Sequence, residues 1–270
     1  AIETLTYFLD TVVTEFIHKT EGKKYYERAN RFAKRHRALG LGVLGWHSYL
    51  QSNMISFEGR DAAKKNIEIA KLLKEKTYKA SAELAQLFGE PELLKGYGRR
   101  NTTLMAIAPT KSSSTILGQV SQSIEPEFSN YYVKDLAKTK LTVKNPFLIK
   151  VLQSYNKNTD EIWESIRKAD GSVQHLSFLS QLERDVFKTF AEINPYDIIN
   201  QAGVRQEYID QAQSINLMIP SDMPVKDLNG LYLYAHDLGI KSLYYQYSMS
   251  EAQALSRKKV MNEGCSSCEG

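Results

Sequence analysis

An α/β fold is predicted for this chain, because segments of helical period alternate with short apolar or β-branched runs. Three stretches carry the expectation. Residues 61–88 place Ile67, Ala70, Leu73, Thr77, Ala80, Leu84 and Leu87 on one helical stripe, and Gly89 follows as a C-terminal cap. Residues 102–108 (TTLMAIA) read as a buried strand that stops at Pro109. Residues 225–238 read as a helix capped by Gly239, with a short strand at 241–245 after it.

The remaining elements follow in order. Leu5, Phe8 or Leu9, Val12 or Val13, and Phe16 recur at helical spacing over 2–18. The segment 39–46 (LGLGVLGW) carries three glycines that allow close backbone approach. Residues 110–115 are polar and small, and a helix could begin at 116–120. Residues 147–167 and 182–194 are helical by period, and 220–224 form a loop. From Ser250 onward polarity rises and no apolar stripe survives, so 250–270 is expected to be a flexible tail beyond a domain at 1–249.

With 270 residues, 42% of them hydrophobic, the chain can bury one sizeable core or two small ones. No stretch approaches the roughly 20 apolar residues of a membrane span. The N-terminus, Ala1-Ile2-Glu3-Thr4-Leu5, has neither an initiator Met nor the pattern of a secretory signal, and reads as the middle of a longer chain. A domain cut, a processed product and the second half of a split gene would all begin so. Net charge is +4, from 35 basic and 31 acidic residues. The dense basic run is 19–37, which could meet an anionic partner such as nucleic acid or form a solvated helix face.

Three constellations could carry chemistry. Pro109, Thr110, Lys111, Ser112 and Ser113 lie between a strand and a predicted helix, where backbone N–H groups converge on an anion and small hydroxyl residues admit a phosphate. This is not the glycine-rich P-loop pattern. Tyr244 and Tyr245 are adjacent at a strand end, where strand neighbours should point to opposite faces. Stacked phenols would therefore need a local break. Cys265 and Cys268 are the only cysteines, both in the tail; their spacing allows a small-loop disulfide and thiol–disulfide exchange. A zinc site would need two more ligands, and none of the five histidines is near.

Taken together, these segments resemble the large subunit of class I ribonucleotide reductase. Arg100-Asn101-Thr102-Thr103 leading through Ala106-Ile107-Ala108 into Pro109-Thr110-Lys111-Ser112-Ser113-Ser114 is similar to the family's barrel strand and diphosphate loop. Ser123-Ile124-Glu125-Pro126, Ile209-Asp210-Gln211-Ala212-Gln213-Ser214, Leu39 to Gly45, and Lys241-Ser242-Leu243-Tyr244-Tyr245-Gln246 match further family stretches in the right order, and a paired-cysteine tail completes it.

The resemblance implies the C-terminal part of a ten-stranded α/β barrel with flanking helices. It implies an enzyme that reduces ribonucleoside diphosphates by radical chemistry and is incomplete alone. Tyr245 would be the outer and Tyr244 the inner member of a radical relay. Pro109, Thr110, Lys111, Ser112 and Ser113 would line the substrate diphosphate; position 111 varies in the family, and it is the charge of Lys111 alone that would add a positive group beside it. Cys265 and Cys268 would carry reducing equivalents, and the helix 225–238 would lie near the small subunit's docking groove. The family's radical and redox cysteines fall upstream, because no cysteine precedes Cys265.

The implied partners are the upstream part of the large subunit, the radical-generating small subunit, and thioredoxin or glutaredoxin. No cofactor or metal is expected on this chain. A metal–radical cofactor belongs to the small subunit and nucleotide effectors to the upstream part, in a cytoplasmic setting without a membrane. The rival readings are a nucleic-acid-binding module built on 19–37 and a small thiol oxidoreductase built on the tail.

Overall fold

The computed structural model describes residues 1–136 and 139–248. The tail expected over 250–270, with Cys265 and Cys268, lies outside the described residues. In chain order the elements are α1 (Ile2–Thr20), α2 (Glu27–His36), α3 (Trp46–Ser52), α4 (Arg60–Phe88), α5 (Lys111–Ile116), β1 (Tyr131–Leu136) and β2 (Thr139–Lys144). They continue with α6 (Pro146–Ser154), α7 (Asp160–Lys168), α8 (Gln181–Val186), α9 (Pro195–Gln206), β3 (Leu217–Ile219), α10 (Val225–Asp237) and β4 (Gln246–Ser248). The mixed α/β class is as expected.

No sheet among the described residues closes on itself. β1 and β2 form an antiparallel hairpin, β3 and β4 pair in parallel across α10, and two isolated parallel bridges join Leu41 to Met105 and Ile107 to Gln213. The strand predicted at 102–108 is therefore an extended, buried segment with one bridge to each neighbour. Its ladder is thin because a side chain replaces part of it: the Asp210 carboxylate accepts from the backbone N–H groups of Leu104 (2.8 Å) and Met105 (2.9 Å). On the other side Leu41 N–H donates to Leu104 O and Ala106 N–H to Leu41 O. Gly42 makes this approach possible, since a Cβ there would lie 2.3 Å from Ala106 O.

The longest helix, α4, is as predicted and ends at Gly89, whose φ of +79° L side chains rarely adopt. Ala70, Leu73, Thr77, Ala80 and Leu84 are buried along it, whereas Ile67 and Leu87, at the two ends of the predicted stripe, are exposed. On α1 the inward face is Thr6, Asp10 and Ile17 with Leu9 and Val13 beside the core, leaving Leu5, Phe8, Val12 and Phe16 exposed. Asp10 sets that rotation. Its carboxylate accepts from Arg37 Nε (2.8 Å) and Nη2 (2.9 Å), Arg100 Nε (3.0 Å) and Asn101 Nδ2 (2.9 Å). Burial pushes the Asp10 carboxyl up, but the hydrogen bonds and charge of Arg37, then Asn101 and Arg100, outweigh it and hold it below its ordinary value.

Three helix boundaries differ from expectation. The span 147–167 is two helices, because Asn145 caps α6 and the chain turns at Asn156, which has φ of +54°, before α7 begins. The span 182–194 breaks after α8, which opens on a Ser180–Glu183 capping box, and resumes as a 3-10 turn at Phe190–Glu192 with its own box at Thr189. The helix expected to begin at 116–120 instead begins at Lys111 and ends at Ile116, since Gly118 and Gln119 both take positive φ.

Apolar burial collects in two clusters. The larger joins Leu50, Leu104, Met105, Ile199, Ile215, Leu217 and Leu231, uniting α3, α9, α10, β3 and the 102–108 segment. The smaller joins Leu148, Leu152, Trp163, Ile166 and Phe187 beside the hairpin. Truncating a fully buried member such as Leu104 to alanine removes contacts worth about 2–5 kcal/mol.

Candidate functional site

The tyrosine pair sits just before β4 rather than at the end of a strand over 241–245. Tyr244 N–H donates to Ile215 O (2.8 Å), and Leu217 N–H donates to Tyr245 O (3.0 Å), as in a parallel ladder. Between them Tyr245 N–H donates to the Asn216 side-chain Oδ1 at 2.9 Å. Two successive N–H groups thus face the same neighbouring segment, the second met by a side chain, and regular alternation fails at this point. The two rings turn to one side, with centroids 4.1 Å apart and planes at 51°. The Tyr244 hydroxyl donates to that of Tyr245 at 3.4 Å. That bond, then the charge of Tyr245, holds the Tyr244 phenol above its ordinary pKa. Both rings are about half exposed.

The serine loop reaches the same place. Thr110 takes left-handed backbone (φ +49°) as the N-cap of α5, and its Oγ1 accepts from Ser123 N–H at 2.8 Å. Pro109 and Thr110 are half-buried, Lys111, Ser112 and Ser113 are exposed, and Ser114 is buried. As at any helix start, the first N–H groups have no partner within the helix. Lys111 leans over the tyrosines: its Nζ is 5.8 Å from the Tyr245 ring centroid, within cation–π range.

Beneath the pair lies a carboxyl unit. Asn216 Nδ2 donates to Glu125 Oε1 at 2.6 Å, so one asparagine holds both the Tyr245 backbone and a buried acid. Burial pushes Glu125 up to about 7, against the opposing Asn216 hydrogen bond and Lys111 charge. Burial, then the charge of Glu125, likewise pushes Glu127 up to about 7. Glu127 also lines a cleft of about 410 Å³ under α5 with Ser114, Thr115, Gln119, Gln122 and Tyr132.

The structure therefore brings Lys111, from the serine loop, onto Tyr245, and adds Glu125, which the sequence carries only as part of the Ser123–Pro126 stretch, and Asn216, which lies in none of the sequence motifs. An asparagine at the mouth of a strand, where such residues are depleted, was the available signal. The Asp210–Ser214 stretch resolves into jobs. Asp210 holds the 102–108 segment, Gln211 Nε2 donates to Leu39 O, and Gln213 Oε1 accepts from Arg205 Nε. Burial lowers Arg205 to about 9, and its buried contacts are amide oxygens of Gln213 and Asn66 rather than a carboxylate.

Half of the eight Lys and Arg residues in the run 19–37 are in ion pairs: Lys19 with Glu15, Lys34 with Glu21, Arg35 with Glu92 and Arg37 with buried Asp10. Among the described residues there is no group of three or more His, Cys, Asp or Glu placed to hold a metal, and no helix long and apolar enough to cross a membrane.

The family profile described as ribonucleotide reductase, barrel domain, matches residues 1–93 and 91–246. The ribonucleoside-diphosphate reductase large subunit of Invertebrate iridescent virus 6 is 42% identical over 260 residues, covering 94% of this chain and 27% of that protein. The putative large subunit of Frog virus 3 is 34% identical, covering 100% of this chain and 48% of the relative. Among solved structures, the Actinobacillus ureae class Id ribonucleotide reductase alpha subunit superposes with a TM-score of 0.88 at 61% identity, covering 94% of this chain and 47% of that one. The chain thus spans about a quarter to a half of the length of these relatives. None of these similarities supports the nucleic-acid or stand-alone thiol readings.

Proposed function

The chain belongs to the ribonucleotide reductase barrel-domain family, and from that membership we propose that it works as part of a catalytic large subunit reducing ribonucleoside diphosphates to deoxyribonucleoside diphosphates. The observation that carries the reading is the meeting of Lys111 and Tyr245, because it joins the anion-binding loop to the phenol pair on one face.

In this reading Pro109, Thr110, Lys111, Ser112 and Ser113 hold the diphosphate. The left-handed Thr110 and its bond to Ser123 fix the loop, the first-turn N–H groups and serine hydroxyls supply donors, and Lys111 supplies charge. Lys111 is shared between that anion and the Tyr245 ring, rather than committed to the phosphate alone. Tyr245 is the outer and Tyr244 the inner member of the relay. A phenol suits the task because it can give up an electron and a proton together, and a ring separation of 4.1 Å favours transfer between them.

The small subunit's metal–radical cofactor would supply the one-electron oxidising equivalent. The exposed Val225, Tyr232 and Leu233 on α10 offer that subunit an apolar docking face. Residues 1–249 would be one portion of the ten-stranded barrel, completed by an upstream part that carries the active-site cysteines and effector sites. Residues 250–270 would form the redox tail, with Cys265 and Cys268 passing electrons from thioredoxin or glutaredoxin in the cytoplasm.

The test uses the complete enzyme. Tyr244→Phe and Tyr245→Phe keep the rings and remove the redox-active hydroxyls, and each should lower turnover by at least about 100-fold, some 2.7 kcal/mol. Near-normal turnover in either variant would remove that residue from the mechanism.

A further inference from the structure

The ring contacts do not stop at the pair. Tyr245 and Tyr247 are two residues apart at the entry to β4, a spacing that puts side chains on one face of an extended backbone. Their ring centroids are 6.1 Å apart with planes at 46°. Tyr247 is held by its pairing with Met218 in the β3–β4 ladder and packs against the larger core cluster. Phe128 meets its ring edge-on at 5.3 Å, and Phe190 meets Phe128 at 5.1 Å. Tyr245 is therefore a junction, with Tyr244 on one side and Tyr247 on the other.

We propose that Tyr247 is a third redox-active phenol, a side branch that takes the oxidising equivalent from Tyr245 and returns it. The inference rests on the relay reading above. The step balances internally. Tyr247 gives one electron to the Tyr245 phenoxyl and its hydroxyl proton to water; Tyr245 accepts that electron, takes a proton from water and is again a phenol. The oxidant is the one-electron equivalent that entered the relay, so nothing is consumed. The branch ends at Tyr247, because the phenyl rings of Phe128 and Phe190 have no hydroxyl proton to release and are far harder to oxidise. It is also better shielded than the half-exposed Tyr245, so an equivalent parked there is further from solution reductants.

The experiment uses the complete large subunit with its small subunit and a diphosphate substrate. Aminotyrosine, which is more easily oxidised than tyrosine, replaces Tyr247, and the radical is read by electron paramagnetic resonance. An aminotyrosyl signal is expected, and it should vanish when Tyr245→Phe is added. Aminotyrosine at Tyr196, which pairs with Tyr234 outside this chain of rings, should stay silent. Tyr247→Phe, which removes the branch but not the main path, should lower kcat by less than about tenfold.

Silence at position 247, where aminotyrosine placed instead at position 245 gives a signal, would overturn the proposal, as would a signal at 247 that survives Tyr245→Phe. A signal at 196 would reduce the result to indiscriminate oxidation and overturn it too. A fall in kcat of more than about tenfold in Tyr247→Phe would make Tyr247 an obligate link and not a branch. Silence at both 245 and 247 would remove the relay itself, and this inference with it.

Discussion

The segment from Arg100 to Lys111 ends in two different kinds of chemistry. At its beginning, Arg100 and Asn101 close on Asp10 and Arg37 in a knot where Asp10 is 3% exposed and its carboxylate accepts from three side chains. At its end, Lys111 reaches over a half-exposed phenol and Ser112 and Ser113 face outward. The first end is closed and satisfied; the second is held from behind by Thr110, Glu125 and Asn216 and left open in front. A buried ion cluster fixes where an extended segment begins, so that its far end can present groups with unspent hydrogen-bonding capacity. Stability and chemistry are separated along a dozen residues.

The largest expected effect tests that separation directly. Asp10→Ala leaves Arg37 buried without its carboxylate and should cost about 3–5 kcal/mol, read by denaturant unfolding. Tyr244→Phe should move stability by less than about 0.5 kcal/mol. Equal losses would erase the distinction. The two ends also titrate oppositely. Asp10 has a depressed carboxyl in the fold, so its contribution is complete above its unfolded value of 3.8 and is lost as pH falls through the folded value.

Asn216→Ala comes next, because it strips a partner from both Glu125 and the Tyr245 N–H. A loss of about 1–3 kcal/mol is expected. The Glu125 carboxyl should also titrate higher, since the hydrogen bond that lowers it is gone; its infrared carboxyl band would report this. A neutral substitution would mean that the tyrosine pair is held by backbone pairing alone.

Glu125→Gln should act through pH. The folded Glu125 is raised from 4.5 to about 7, so it favours the fold while protonated, fully below about 4.5, and that contribution is lost as pH rises through about 7. Glu125→Gln should therefore flatten the decline in stability over that window, leaving the share due to Glu127. An unchanged slope would place the titration elsewhere. Lys111→Met should be the mildest change, about 0.5–1 kcal/mol at most in unfolding, because its ammonium is exposed. A larger loss would make the open end a structural one.

Much of the helical framework was legible in the sequence. The α4 stripe and its Gly89 stop, the α10 boundaries and the close approach allowed by Gly42 all follow from local spacing and backbone sterics. The serine loop and the tyrosine pair were legible as chemistry, though their meeting was not. The break at Asn156 and the early start of α5 were missed because single capping and left-handed residues outvote apolar period over short spans.

By itself the sequence determined the α/β class, the family and the residue types of the serine loop and the tyrosine pair, since each depends on local pattern. Only the tertiary structure decided that Asp210 would stand in for part of a strand ladder, and that Asn216 would interrupt another and turn two neighbouring phenols to one side. Each is a contact between positions far apart in the chain or a consequence of one. Propensity is a property of neighbours in sequence, whereas a hydrogen-bond donor is satisfied by whatever acceptor the packed fold brings within reach.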